Sequence, residues 1–176
     1  MDLVGEVIEA DVKEFVSEGY RLMDPPPLGS LVKVDTGRIE IYGVVYYSET
    51  RGRDPGRRAF ALREEDVLKK KPHLTKVLVT IFRSLVLGYK DGGDIMRYLP
   101  PIPAPIHSFV HICGEDELKD FASSLDFMDI FLGAELMGIG DDVIAHFLKR
   151  ASSVFPEQDE FISRAIKEIS RLTDIR

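Results

Sequence analysis

The hydrophobic period of this chain changes once, at Cys113, and that change limits the folds open to it. Before Cys113, apolar residues alternate in short runs separated by Gly and Pro; after it they recur every three to four positions. Two-residue alternation predicts strands in "LVGEVIEAD", "EFVSEGY", "SLVKVDTG" and "RIEIYGVVYY", with the third and fourth joined near Thr36-Gly37. In the fourth run Ile39, Ile41, Gly43, Val45 and Tyr47 are expected on one face, and Gly43 within it suggests a bulge or a tight barrel bend. "VLVTIFRSLVLGY" also fits a helical stripe, but its β-branched residues and terminal Gly88 favour a strand. "REEDVLKKK" reads as a short helix closed by Pro72, "LPPIPAP" as a break, and "IHSFVHIC" as a last strand. Helical stripes follow: Leu118, Phe121, Ala122 and Leu125; then Val143, Ile144, Phe147, Leu148 and Ala151, with Asp141 or Asp142 as a cap. The last comprises Phe161, Ile162, Ala165, Ile166, Ile169 and Leu172. The pattern predicts an α+β fold: a small N-terminal β-barrel over residues 1–113, then an α-helical extension over 114–176 packed on it.

Length and composition fit such a fold. A chain of 176 residues with 44% hydrophobic content can bury a core without disulfides, and its single cysteine, Cys113, excludes an internal disulfide framework. The acidic start "MDLVGEVIEAD" lacks the basic and apolar regions of an export signal, and the longest apolar run is interrupted by Lys76 and Arg83. These features predict a cytoplasmic protein with no membrane insertion. The absence of Asn, a single Gln (Gln158) and 30% charged residues suit a thermophile.

Charge is unevenly placed. The formal net charge is −7, yet residues 51–83 hold ten Lys/Arg against four Asp/Glu, between two acidic segments. Within this band "ETRGRDPGRRAF" places Arg51, Arg53, Arg57 and Arg58 around a Pro55-Gly56 turn of type II character. If the turn closes a tight hairpin, Arg53 faces Arg58, a pairing that is unfavourable unless the two share an anion. That anion is a carboxylate of the same chain, a carboxylate of a protein partner, or a phosphate of nucleic acid. These four arginines are the candidate partner-binding residues. His107, His111 and Cys113 invite a metal reading, but positions 107 and 111 of one strand lie about 13 Å apart, too far to share an ion. No metal site is expected, and Cys113 reads as a small buried residue. The chain has no phosphate loop, dinucleotide fingerprint, zinc-protease motif or nucleophile elbow, so neither a catalytic residue nor a cofactor is expected.

Taken together, "GEVIEAD", "PPPLGSLVKV", "IYGVVY", "RDPGRR", "LPPIPAPIHSFVHIC" and "SLDF" resemble the HAS-barrel family, named from HerA helicases and ATP synthases, over about residues 3 to 125. The resemblance implies a small β-barrel of the kind found at the N-terminus of ring-forming ATPases, where it assembles the ring or docks a partner. The motor domain and its Walker motifs are missing from this sequence. The resulting expectation is a non-catalytic interaction module that meets a protein partner or its own copies. The alternative is a nucleic-acid-binding accessory of DNA-processing machinery that uses residues 51–83.

Overall fold

A computed structural model describes residues 2–54, 77–134 and 138–174. Its first part is a closed antiparallel barrel. Strands β1 (Asp2–Ala10), β2 (Glu14–Gly19), β3 (Leu31–Asp35), β4 (Glu40–Gly52), β5 (Leu78–Asp91) and β7 (Phe109–Ile112) pair in the circular order β1-β2-β5-β4-β3-β7, and β7 returns to β1. The short β6 (Asp94–Met96) adds a hairpin to the end of β5. Closure leaves the six barrel strands without a free edge.

The turns have local causes. Asp11 accepts hydrogen bonds from the backbone N–H groups of Lys13 (2.6 Å) and Glu14 (2.9 Å), folding β1 back onto β2. Gly37, at φ 79°, supplies the left-handed residue between β3 and β4. Gly43 answers a different need. A Cβ at this position would lie 2.8 Å from the Phe15 ring, so its absence lets that ring fill the barrel interior. The β4–β5 register also shifts between Tyr42 and Gly43, the irregularity the sequence suggested there.

The interior is packed by Val7, Phe15, Val32, Val34, Ile41, Val45, Phe82 and Val110. Part of the outer surface is buried as well, because α1 (Glu115–Ala122), α2 (Met128–Ala134), α3 (Asp141–Ser153) and α4 (Gln158–Thr173) form a layer there. Leu31, Tyr42, Val44, Leu85 and Leu87 belong to one apolar cluster with Phe121, Phe127, Phe131 and Phe147. Tyr42 and Phe121 meet across the boundary with ring centroids 5.2 Å apart, and Phe127 packs edge-on to Phe147 at 5.3 Å.

Several sequence expectations require correction. A second register shift between Val45 and Tyr47 leaves Tyr47 outside the face shared by Ile39, Ile41, Gly43 and Val45, and it is exposed. The N-cap of α3 is Gly140, so Asp141 and Asp142 occupy the first turn, where they favour the helix dipole without capping it. Ile166 points to solvent from the α4 stripe. The α2 helix was not expected at all. Residues 55–76, which include the expected helix "REEDVLKKK", lie outside the described residues, and no described helix is long and apolar enough to cross a membrane.

Candidate docking face

The arginine band is only partly in view. Arg57, Arg58 and the Pro55-Gly56 turn lie outside the described residues. Gly52 pairs with Leu78, and the Arg53 N–H donates to the Val77 carbonyl at 2.8 Å, so Arg53 lies opposite Val77. Each described arginine of the band meets a carboxylate of the chain. Arg51 lies 3.3 Å from Glu49 of its own strand, while Arg53 reaches across to Glu18 of β2 with two donors at 2.8 and 3.4 Å. Arg83 contacts Glu14 at 3.4 Å, and Tyr46 donates to the same carboxylate. Burial, reinforced by that hydrogen bond, pushes the Tyr46 hydroxyl up to about 12. The structure brings Arg51 and Arg53 to one end of the β4–β5 ribbon but gives each an internal partner. Exposed pairs of this kind add little to stability.

A second surface is not signalled by charge. On the side of the barrel away from the described helices, β1 runs between β2 and β7. Cross-strand register places Leu3 opposite His111 and Glu6 opposite Phe109. A bulge at Val4 turns both Leu3 and Glu6 outward, which strict alternation would not do. Leu3 is 46% exposed, Tyr20 51% and Phe109 55%. Glu6 lies at the centre of this group. It accepts the Tyr20 hydroxyl at 3.2 Å and lies 2.5 Å from Nδ1 of His107, whose hydrogen bond is the main force holding the carboxyl below its ordinary value.

His107 reaches Glu6 through unusual backbone geometry. At φ 70° it is one of two non-glycine residues in the left-handed region among those described, the other being Met23. This conformation ends β7 short of His107, against the expectation of a strand from Ile106. Hydrogen bonds from His107 N to Val7 O (2.9 Å) and from Val7 N to Ser108 O (2.9 Å) hold the turn. Such backbone costs on the order of 1–3 kcal/mol and persists where its surroundings over-determine it. Ile106, beside it, is exposed, so the strained turn presents an apolar side chain next to the Glu6–His107 contact.

Near Leu3 the surface dips into a pocket of about 120 Å³, lined by Asp2, Leu3, Val4, Ile112, Arg21 and the loop from Asp24 to Pro27. A shallower recess lies by Glu18, Tyr20 and Arg53. The groups whose ionisation burial disturbs most lie in neither. Burial pushes the Cys113 thiol and the Tyr42 hydroxyl upward, and both sit at the boundary between barrel and helices. Cys113 is buried, in keeping with its reading as a small core residue. Among the described residues no three His, Cys, Asp or Glu side chains converge in a metal-binding arrangement.

No protein-family model matches the chain, and no curated protein sequence does. The Glu6 face was missed in the sequence because its members come from four places, Leu3 and Glu6, Tyr20, His107, and Phe109, and only strand register joins them. The one available signal was Phe109 beside two histidines in "IHSFVHIC".

Proposed function

We propose that this chain is a non-catalytic docking module of the HAS-barrel type, and that it meets its partner through the Glu6 face rather than through Arg51 and Arg53. One observation carries the reading. The described helices occupy the outer surface of β3, β4 and β5, whereas the β2–β1–β7 surface carries exposed Leu3, Tyr20 and Phe109. Clustered exposed aromatic and aliphatic side chains around a polar centre mark interaction sites on soluble proteins. The closed barrel supports the family resemblance at the level of fold. The groups most disturbed by burial are explained by packing between barrel and helices, which favours a structural role for them over a chemical one.

The nucleic-acid reading of residues 51–83 has less support, because Arg51, Arg53 and Arg83 each have a carboxylate beside them. A phosphate backbone would have to displace those partners.

A photo-crosslinking residue placed at Phe109, compared with one at Tyr47 on another exposed part of the barrel, tests the proposal in native lysate. Crosslinks from position 109 to protein, with few from position 47, are expected. Crosslinks from 47 alone, or predominantly to nucleic acid, overturn it.

A further inference from the structure

Barrel closure removes the free edge of β4 only as far as Val45. That residue still accepts from Gly29 N at 2.8 Å and donates to Ser30 O at 3.0 Å. Beyond it β4 outruns β3 and pairs with β5 alone, from Tyr47 opposite Arg83 to Gly52 opposite Leu78. We propose that this open edge pairs antiparallel with the same edge of a second copy, about a two-fold axis at Thr50. None of the residues involved belongs to the Glu6 face, and the inference goes beyond the docking role proposed for that face.

The parity of the ladder decides which backbone groups are free. The Arg53 N–H donates to Val77 O, so Arg53 turns its backbone groups toward β5. Such pairs alternate along an antiparallel ladder, so Arg51, Glu49 and Tyr47 turn the same way. Ser48, Thr50 and Gly52 therefore point theirs outward, and among the described residues no backbone group meets them there. Ser48 and Thr50 are exposed. An open row of this kind is a template for a further strand.

Register argues that the further strand is a second copy. In an isologous contact residue i meets j and j meets i. With the axis at Thr50, Thr50 exchanges both backbone hydrogen bonds with its own counterpart, and Ser48 exchanges both with Gly52. Glu49 then lies opposite Arg51, and Arg51 opposite Glu49, in the non-hydrogen-bonded pairs where side chains approach most closely. Moving the axis to Glu49 or to Arg51 sets like charges opposite each other. An unrelated strand would need a cation and a carboxylate in this order and at this spacing; the second copy supplies both by symmetry.

The contact displaced is weak. Arg51 lies 3.3 Å from Glu49 of its own strand, with side chains 49% and 36% exposed, and such a pair holds little energy. At either end of the paired segment Tyr47 faces Arg53 of the other copy, a ring beside a guanidinium. The interface is small, so association is expected at about tens of micromolar or above. The dilution of a lysate keeps the copies apart, and position 47 remains a fair control there for the Glu6 face.

Sedimentation velocity of the full chain between about 1 and 500 µM tests the proposal. A monomer–dimer equilibrium is expected, and exchange of the Ser48, Thr50 and Gly52 amides should slow as concentration rises. Thr50→Pro removes an N–H that faces the open edge and none from the β4–β5 ladder, so it should abolish the dimer and leave the melting temperature near that of the wild type. Glu49→Arg and Arg51→Glu each set like charges opposite each other twice and should each weaken the dimer about tenfold. The Glu49→Arg/Arg51→Glu double variant should restore it, which also shows that the exchanged side chains are compatible with the fold. A wild type that stays monomeric throughout, a dimer that Thr50→Pro leaves intact, or a dimer in which those three amides gain no protection overturns the proposal. A monomer whose Thr50→Pro variant loses a protein captured by the wild type assigns the edge to a foreign strand, and overturns it as well.

Discussion

The Lys33 ammonium of β3 lies 2.5 Å from Glu117 of α1 and 2.6 Å from Glu40 of β4, joining barrel and helix layer through a side chain only 8% exposed. Burial alone pushes Lys33 down, but its hydrogen bonds to Glu117 and Glu40 outweigh burial and hold it above the ordinary lysine value. Burial likewise raises Glu117, yet hydrogen bonds from Lys33 and from the Gly114 N–H bring it below its ordinary value of 4.5. Lys33→Met leaves two facing carboxylates without their cation and should cost about 2 kcal/mol or more in urea denaturation. The sign of the pH effect follows from the lowered pKa of Glu117. Its contribution is fully present above the unfolded value and is lost as pH falls below about 4.5 toward the folded value. The loss of Tm on acidification should therefore be smaller in Glu117→Gln than in the wild type.

Arg97 holds the other end of α1. Its guanidinium donates to the Phe121 carbonyl at 2.7 Å, the Asp120 carbonyl at 2.8 Å and the Ser123 hydroxyl at 3.0 Å, placing a cation at the helix C-terminus. Arg97→Ala should cost about 2 kcal/mol. Arg97→Lys should recover only part of it, because one ammonium cannot reproduce the planar fork. Urea midpoints of the two variants check the order.

Gly43→Ala places a methyl group 2.8 Å from the Phe15 ring and 3.1 Å from Ser84 Cβ. Phe15 is fully buried and cannot swing away, so overpacking should cost on the order of 1–3 kcal/mol. Adding Phe15→Leu should return part of the lost stability in thermal melts, whereas Phe15→Leu alone should be destabilising.

Barrel and helices should melt together. Phe127 is fully buried in the cluster that also contains Tyr42, Val44 and Leu85 of the barrel. Phe127→Ala should cost about 3–5 kcal/mol and lower one cooperative transition seen equally by far-UV and near-UV dichroism. Two separate transitions would contradict a shared core.

The alternation in β3 and β4 and the stripes of α3 and α4 were readable because one face of each is apolar. Tyr42, Val44, Leu85 and Leu87 were not readable as outer-face residues, because strands covered on both sides lose their alternation. Helix α2 was missed because "MDIFLGA" spans only about two turns, too short for its period to stand out. At the candidate site, the guanidinium cluster was visible in the sequence, but the carboxylate that Arg53 meets, Glu18, lies 35 residues away, and the one that Arg83 of the same basic band meets, Glu14, lies 69 residues away. The Glu6 face depends on a bulge and a left-handed histidine, neither of which residue identity announces.

The choice between the two surfaces is tested most directly by using Phe109→Glu and Arg53→Glu, side by side with the wild type, as immobilised bait for native partners. Both positions are exposed, so both variants should melt within about half a kcal/mol of the wild type. The account predicts that Phe109→Glu loses the partners held by the wild type while Arg53→Glu keeps them. Retention by Phe109→Glu together with loss by Arg53→Glu would contradict it and return the function to the arginine band.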